Sequence, residues 1–111
     1  MKYIYTDDMV EISGFGGGYE AACRNMVVAG LEWLDVHPKA EPLFYGYKGI
    51  YGIINHDNED AKELLSAMLK GSGGDCTGAM MQATVGHVMM IRKKGWPAYC
   101  EESRARKLAE G

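Results

Sequence analysis

The chain has 111 residues, of which 47% are hydrophobic and 24% charged, enough for one folded domain with a real core. Its net charge of −3 is unevenly placed: residues 1–90 carry six Lys/Arg against twelve Asp/Glu, and residues 91–111 carry six against three. An acidic body argues against nucleic acid as a general partner, since non-specific affinity comes from neutralising phosphates.

No apolar stretch approaches the roughly 20 residues that a membrane span needs, and the N-terminus carries no charged-then-apolar run. Three cysteines, Cys23, Cys76 and Cys100, are an odd number without C-x-x-C spacing, which speaks against a disulfide framework and a zinc site. Reduced thiols and a cytoplasmic location are the expectation.

In chain order, Lys2–Tyr5 and Val10–Ile12 are β-prone pieces around Thr6-Asp7-Asp8, which predicts a short N-terminal hairpin. A glycine cluster, Gly14 to Gly18 with Phe15 inside it, then runs into a helical segment from Tyr19 to about Asp35. Tyr19, Ala22, Cys23, Met26, Gly30, Trp33 and Leu34 share one face of that segment. Ala21, Val28 and Leu31 project among its charges, which predicts a second contact, either another element or another subunit.

His37-Pro38 and Glu41-Pro42 end the helix. Leu43 to Ile54, aromatic and β-branched but broken by glycines, reads as one irregular strand. Asp57 or Asn58 caps a further helix to about Lys70, with Glu59 and Asp60 in its first turn and Ala61, Leu64, Leu65 and Met68 on one face. A second glycine cluster, Gly71-Ser72-Gly73-Gly74, leads into an apolar helix from Cys76 to Ile91, with Asp75 as its N-cap and Gly95 as its stop. Trp96-Pro97 restarts a short helix, and a basic tail frays from about residue 104. These elements together predict an α+β fold: a single, predominantly helical domain over residues 1–111 with a small N-terminal hairpin and one irregular strand.

The glycine-to-helix junctions are the leading candidate chemistry, because a helix N-terminus leaves N–H groups unpaired and glycine lets an anion approach them. Backbone or hydroxyl groups of Gly16, Gly17, Gly18, Gly73, Gly74 and Thr77 would hold phosphate oxygens, with Asp75 meeting a ribose hydroxyl, a base edge or Arg24. Arg24 and Lys48 would supply charge, and Tyr45 or Tyr47 would stack a base. The alternative is that these glycines serve tight turns and close packing, and that the aromatics face a core.

Cys76 at a helix start has the setting of an activated thiol. His87, eleven residues further on and roughly 16 Å along the same helix, is too far to be its base, which leaves His56. His56, Asp57, Glu59 and Asp60 are consecutive in the manner of a helix cap, so no metal and no cofactor is expected. His87 reads as a hydrogen-bonded core histidine or a subunit contact. Met80-Met81 and Met89-Met90 point in several directions around one helix, which suits a homo-oligomer or an adaptable contact surface.

In size and texture over its whole length, the chain resembles small proteins encoded by bacteriophages and prophages. That resemblance implies stoichiometric binding, such as sequestration of a nucleotide-derived immune signal or blocking of a host protein, and carries over no catalytic residue. The expected function is therefore non-enzymatic binding of a small phosphate-bearing, nucleotide-derived ligand. The alternatives are a protein-interaction inhibitor using Val28, Leu31 and the methionine-rich surface, and a cysteine-dependent enzyme using Cys76 and His56.

Overall fold

Four helices carry the fold: α1 (Glu20–Val36), α2 (Glu59–Gly71), α3 (Gly78–Lys94) and α4 (Trp96–Glu110). The computed structural model describes residues 2–10, 12, 19–48, 51–54, 58–74 and 78–110, with backbone alone at 45–48, 51–54 and 78–79. Between α1 and α2, β1 (Phe44–Lys48) and β2 (Tyr51–Ile54) form a two-stranded antiparallel ribbon, with a register irregularity between Tyr45 and Tyr47. This ribbon is an appendage beside α3 and makes no sheet layer. The α+β expectation is thus corrected: the fold is all-α.

The expected N-terminal hairpin does not form among the described residues. Thr6 to Met9 do make a turn, closed by the Met9 N–H donating to the Thr6 carbonyl at 3.1 Å, but no strand pairing follows. Tyr3, Met9 and Ile12 are instead buried in the helical core, and the Val10 N–H donates to the buried Ser103 hydroxyl of α4 at 3.0 Å. The β-prone residues pack on helices and not on each other.

Helix α1 buries Ala22, Cys23, Met26, Val27, Gly30, Leu31 and Leu34. The apolar face is turned from the expected one: Tyr19 is exposed and Trp33 half-buried, while Val27 and Leu31 are inside. Leu31, read from sequence as projecting among charges, is covered by the chain itself, and Val28 is half-buried against the same core.

Two glycines set how closely the helices approach. A Cβ at Gly71 would lie 2.5 Å from the Ala29 Cβ and 2.9 Å from the Asn25 carbonyl oxygen, and one at Gly30 would lie 3.0 Å from Val88 Cγ2 and 3.1 Å from Met68 Cγ. Absent side chains therefore let α2 end directly on α1, and let α1 cross between α2 and α3.

Helix α2 follows its sequence reading. Asn58 is the N-cap, its Oδ1 accepting from the Ala61 N–H at 2.7 Å, and Ala61, Leu64, Leu65 and Met68 form the buried face. Full burial of each large aliphatic side chain stabilises by about 1.5–3 kcal/mol.

Helix α3 runs through the interior, burying Met80, Ala83, Thr84, Val85, His87, Val88 and Ile91. Thr84 satisfies its buried hydroxyl by donating back to the Met80 carbonyl at 2.7 Å. Gly95, at φ +94°, makes the corner into α4, as its position after Lys94 predicts. Helix α4 then continues to Glu110, beyond the fraying expected from about residue 104.

Candidate functional site

The last three turns of α3 combine opposite chemistries. Val88 and Ile91 point into the core, Met89 and Met90 are half-buried, and Arg92, Lys93 and Lys94 are exposed in the final turn, where cations offset the negative end of the helix dipole. The segment from His37 to Leu43 crosses this helix and is held down by side chains from two directions. Arg92 Nη2 donates to the Ala40 carbonyl at 2.8 Å. From α2, Asp60 Oδ2 accepts from the Glu41 N–H at 3.0 Å and Asn58 Oδ1 accepts from the Leu43 N–H at 3.3 Å.

Pinned in this way, Pro42, Leu43 and Phe44 form one bank of a groove whose other bank is α3. Gly86, Met89 and Met90 line the helix side, Arg92 and Lys93 stand at the rim, and the volume is about 720 Å³. Leu43 is 57% exposed, an apolar side chain open to whatever enters. Flexible thioethers beside two cations suit a ligand with an apolar or aromatic body and an anionic end.

Of the residues proposed from sequence, only Arg24, Gly73 and Gly74 are described with their surroundings. Gly73 and Gly74 have φ of +70° and +85°, and both of their N–H groups are already used: Gly73 donates to the Lys70 carbonyl at 3.1 Å and Gly74 to the Leu69 carbonyl at 3.4 Å. This bonding pattern is the Schellman closure of α2, so these two N–H groups are not left unpaired for an anion.

Arg24 is also engaged, 2.8 Å from Glu20 Oε1 and 5.3 Å from the centroid of the Tyr5 ring, with only 23% of its side chain exposed. It is a poor anion receptor because a carboxylate already faces it. Tyr45, Tyr47 and Lys48 fall in β1, where the backbone alone is described. Gly16, Gly17, Gly18, Asp75 and Thr77 lie outside the described residues, as do Cys76 and His56 of the thiol reading.

The thiols of Cys23 and Cys100 are buried, and burial pushes that of Cys100 above its ordinary pKa. His87 sits on α3 with its ring edge-on to Tyr99 of α4, centroids 6.1 Å apart. Its Nδ1 has no hydrogen bond of ordinary geometry among the described residues. Burial, with Arg106 adding like charge, lowers the His87 pKa to about 4 against a weak opposing pull from the Ala83 backbone. No group of three or more potential metal ligands converges among the described residues.

Met89-Met90 and Arg92-Lys93-Lys94 stand in the sequence as separate signals, and the sequence reading did not place Pro42 and Leu43 at a site. Their only sequence signal is the Glu41-Pro42 break, which says that the chain turns there but not what it turns against. Met80 is 1% exposed and Met81 half-buried in the core, so this chain covers much of the methionine surface that had suggested an oligomer.

No protein-family model, curated protein or solved structure matches the chain. No helix among the described residues is long and apolar enough to cross a membrane.

Proposed function

We propose that this is a non-enzymatic binding protein that holds a small phosphate-bearing, nucleotide-derived ligand in the groove between Pro42–Phe44 and α3. The observation that carries the reading is the apolar groove ending at two cations, Arg92 and Lys93. A base or other flat apolar body would lie against Met89, Met90 and Phe44, and its phosphate would meet Lys93. Arg92 has one nitrogen committed to Ala40, so it would act first as a fixed positive charge. The ligand class is that expected from sequence, and its seat is moved from the glycine junctions to the groove.

The cellular setting belongs to the same proposal: a cytoplasmic protein of phage or prophage type, consistent with buried thiols at Cys23 and Cys100, that removes a signal by stoichiometric capture. Self-association, proposed on the same footing, would cover exposed Leu43.

Calorimetry against nucleotides and cyclic nucleotides tests the reading. The expected result is binding at micromolar concentration that weakens at least about tenfold in Lys93→Glu, the equivalent of one lost charge-assisted contact. Absence of heat for every nucleotide would remove the proposal. A second reading, favoured by the open side of the groove at Leu43, is that an acidic, apolar segment of a host protein occupies it as an inhibitory target. Here a competing acidic amphipathic peptide would bind, nucleotides would not, and Lys93→Glu would again weaken the complex.

A further inference from the structure

On the opposite side of Arg92 from the groove lies a second cavity, of about 300 Å³, closed in by the N-terminal arm, the last turn of α1, the end of α3 and the Gly95 corner. Its chemistry is the reverse of the groove's. Leu31, Leu34 and Ile91 supply an apolar floor, and Tyr3 and Trp96 supply aromatic walls, their rings nearly perpendicular with centroids 5.2 Å apart. At the rim stands Asp35, which the Tyr3 hydroxyl reaches with a 2.6 Å hydrogen bond to Oδ2. Aromatic ring and carboxylate are thereby fixed as one unit.

A cation already rests there, and it is the protein's own. Lys2 Nζ is 3.4 Å from Asp35 Oδ2 and 5.2 Å from the centroid of the Tyr3 ring, the two contacts by which a carboxylate and an aromatic face recognise an ammonium group. The Lys2 side chain is 68% exposed, so solvent screens this pair and its hold is weak. Arg92 also lines the cavity, with Nη2 drawn to the Ala40 carbonyl. Its like charge restricts the site to a single cationic group, placed at the Asp35 end.

We propose that this cavity is a second binding site, for a small organic monocation with an apolar body, such as an alkyl- or arylalkylammonium ion. Its ammonium group displaces Lys2 Nζ from between the Tyr3 ring and Asp35, and its hydrocarbon covers Leu31, Leu34 and Ile91. Lys2 acts as a tethered competitor that fills the cationic position until the ligand arrives. This site is independent of the groove and takes ligand of the opposite charge.

The test uses the full chain in a Trp33→Phe background, which leaves Trp96 as the sole tryptophan. Phenethylammonium and butylammonium chloride are titrated at constant ionic strength, with sodium chloride as control, and Trp96 emission is read. A saturable change is expected with the ammonium ions and not with sodium. Lys2→Met, an exposed change that removes the competitor, should tighten binding by about threefold or more, and Asp35→Asn should weaken it by about tenfold, a factor that corresponds to loss of the carboxylate partner. Lys93→Glu should leave this binding unchanged, which separates the site from the groove. A linear, sodium-like response would overturn the proposal, as would a Lys2→Met variant that binds no more tightly than the parent. Because the Lys2 side chain is 68% exposed and its replacement leaves every buried side chain in place, that comparison decides the matter even if Asp35→Asn disturbs the fold.

Discussion

The seam between α1 and α2 and the seam between α4 and its neighbours hold the same core by different means. The first is apolar and close, set by Gly71 against Ala29 and by Met26, Val27, Leu64 and Met68, all essentially excluded from water. The second is aromatic and polar: Tyr99 packs against Trp96, Tyr5 and His87, Ser103 accepts from the Val10 N–H, and Arg104 reaches Asp8 at 3.1 Å. The first seam should respond to volume and ignore pH. The second should respond to both, because it contains a buried ionisable group, His87, whose charged form burial disfavours.

The largest break should come at Tyr99. It is 1% exposed, so Tyr99→Ala opens a cavity beneath α4 and should cost about 3–5 kcal/mol in chemical denaturation. Near-ultraviolet circular dichroism should lose the aromatic signal of this seam. A loss below about 1 kcal/mol would mean that α4 adds little to the core.

Acid should sharpen the contrast. The His87 pKa falls from an ordinary 6.5 to about 4 in the folded protein, so the unfolded chain takes up the proton first as pH drops. Its contribution is fully present above pH 6.5, declines between there and pH 4, and amounts to about 3 kcal/mol across that window. His87→Gln should flatten the curve of stability against pH over this interval. An unchanged slope would place the acid sensitivity elsewhere.

The α1–α2 seam should show the smallest of these effects, and one independent of pH. Gly71→Ala sets a Cβ against the Ala29 Cβ and a backbone oxygen, neither of which can rotate away, and should cost about 1–3 kcal/mol at pH 5 and pH 7 alike. Gly30→Ala should cost less, since one of its neighbours is the flexible Met68 side chain. A larger loss at Gly30 than at Gly71, measured by thermal melts of the two variants, would reverse this ranking of the contacts.

How far each region could be read from sequence follows the same division. Helix α2 was legible almost residue by residue, because Asn58, the acidic first turn and the Ala61–Leu64–Leu65–Met68 stripe all act within one or two turns of each other. The glycine cluster after it was legible as a cluster, with anion binding and tight turns both open as its role. Gly73 closes the helix behind it, a local function, and Gly71 admits α1, which nothing in the local sequence announces. The N-terminal arm misled because alternation of Tyr3, Ile4 and Tyr5 is equally satisfied by pairing with a strand and by lying across helices, and only the location of α1 and α4 decides between them.

Both cavities were invisible for a related reason. The groove needs Asn58 and Asp60 to bind backbone N–H groups 15 and 19 residues earlier, and the cation cavity needs Tyr3 to meet Asp35 across 32 positions. Taken alone, the sequence determined where α2 starts and where Gly95 ends α3, which helix is most deeply apolar and where its basic end lies, since propensity, capping and periodicity are short-range. Only the tertiary structure decided that the β-prone arm lies on helices and that the N–H groups of Gly73 and Gly74 turn back to close α2. It alone also set an apolar bank beside Lys93 and an aromatic corner beside Asp35. Each of these rests on contacts between residues distant along the chain, whose meeting is fixed by the burial of the whole core and not by any segment's own preference.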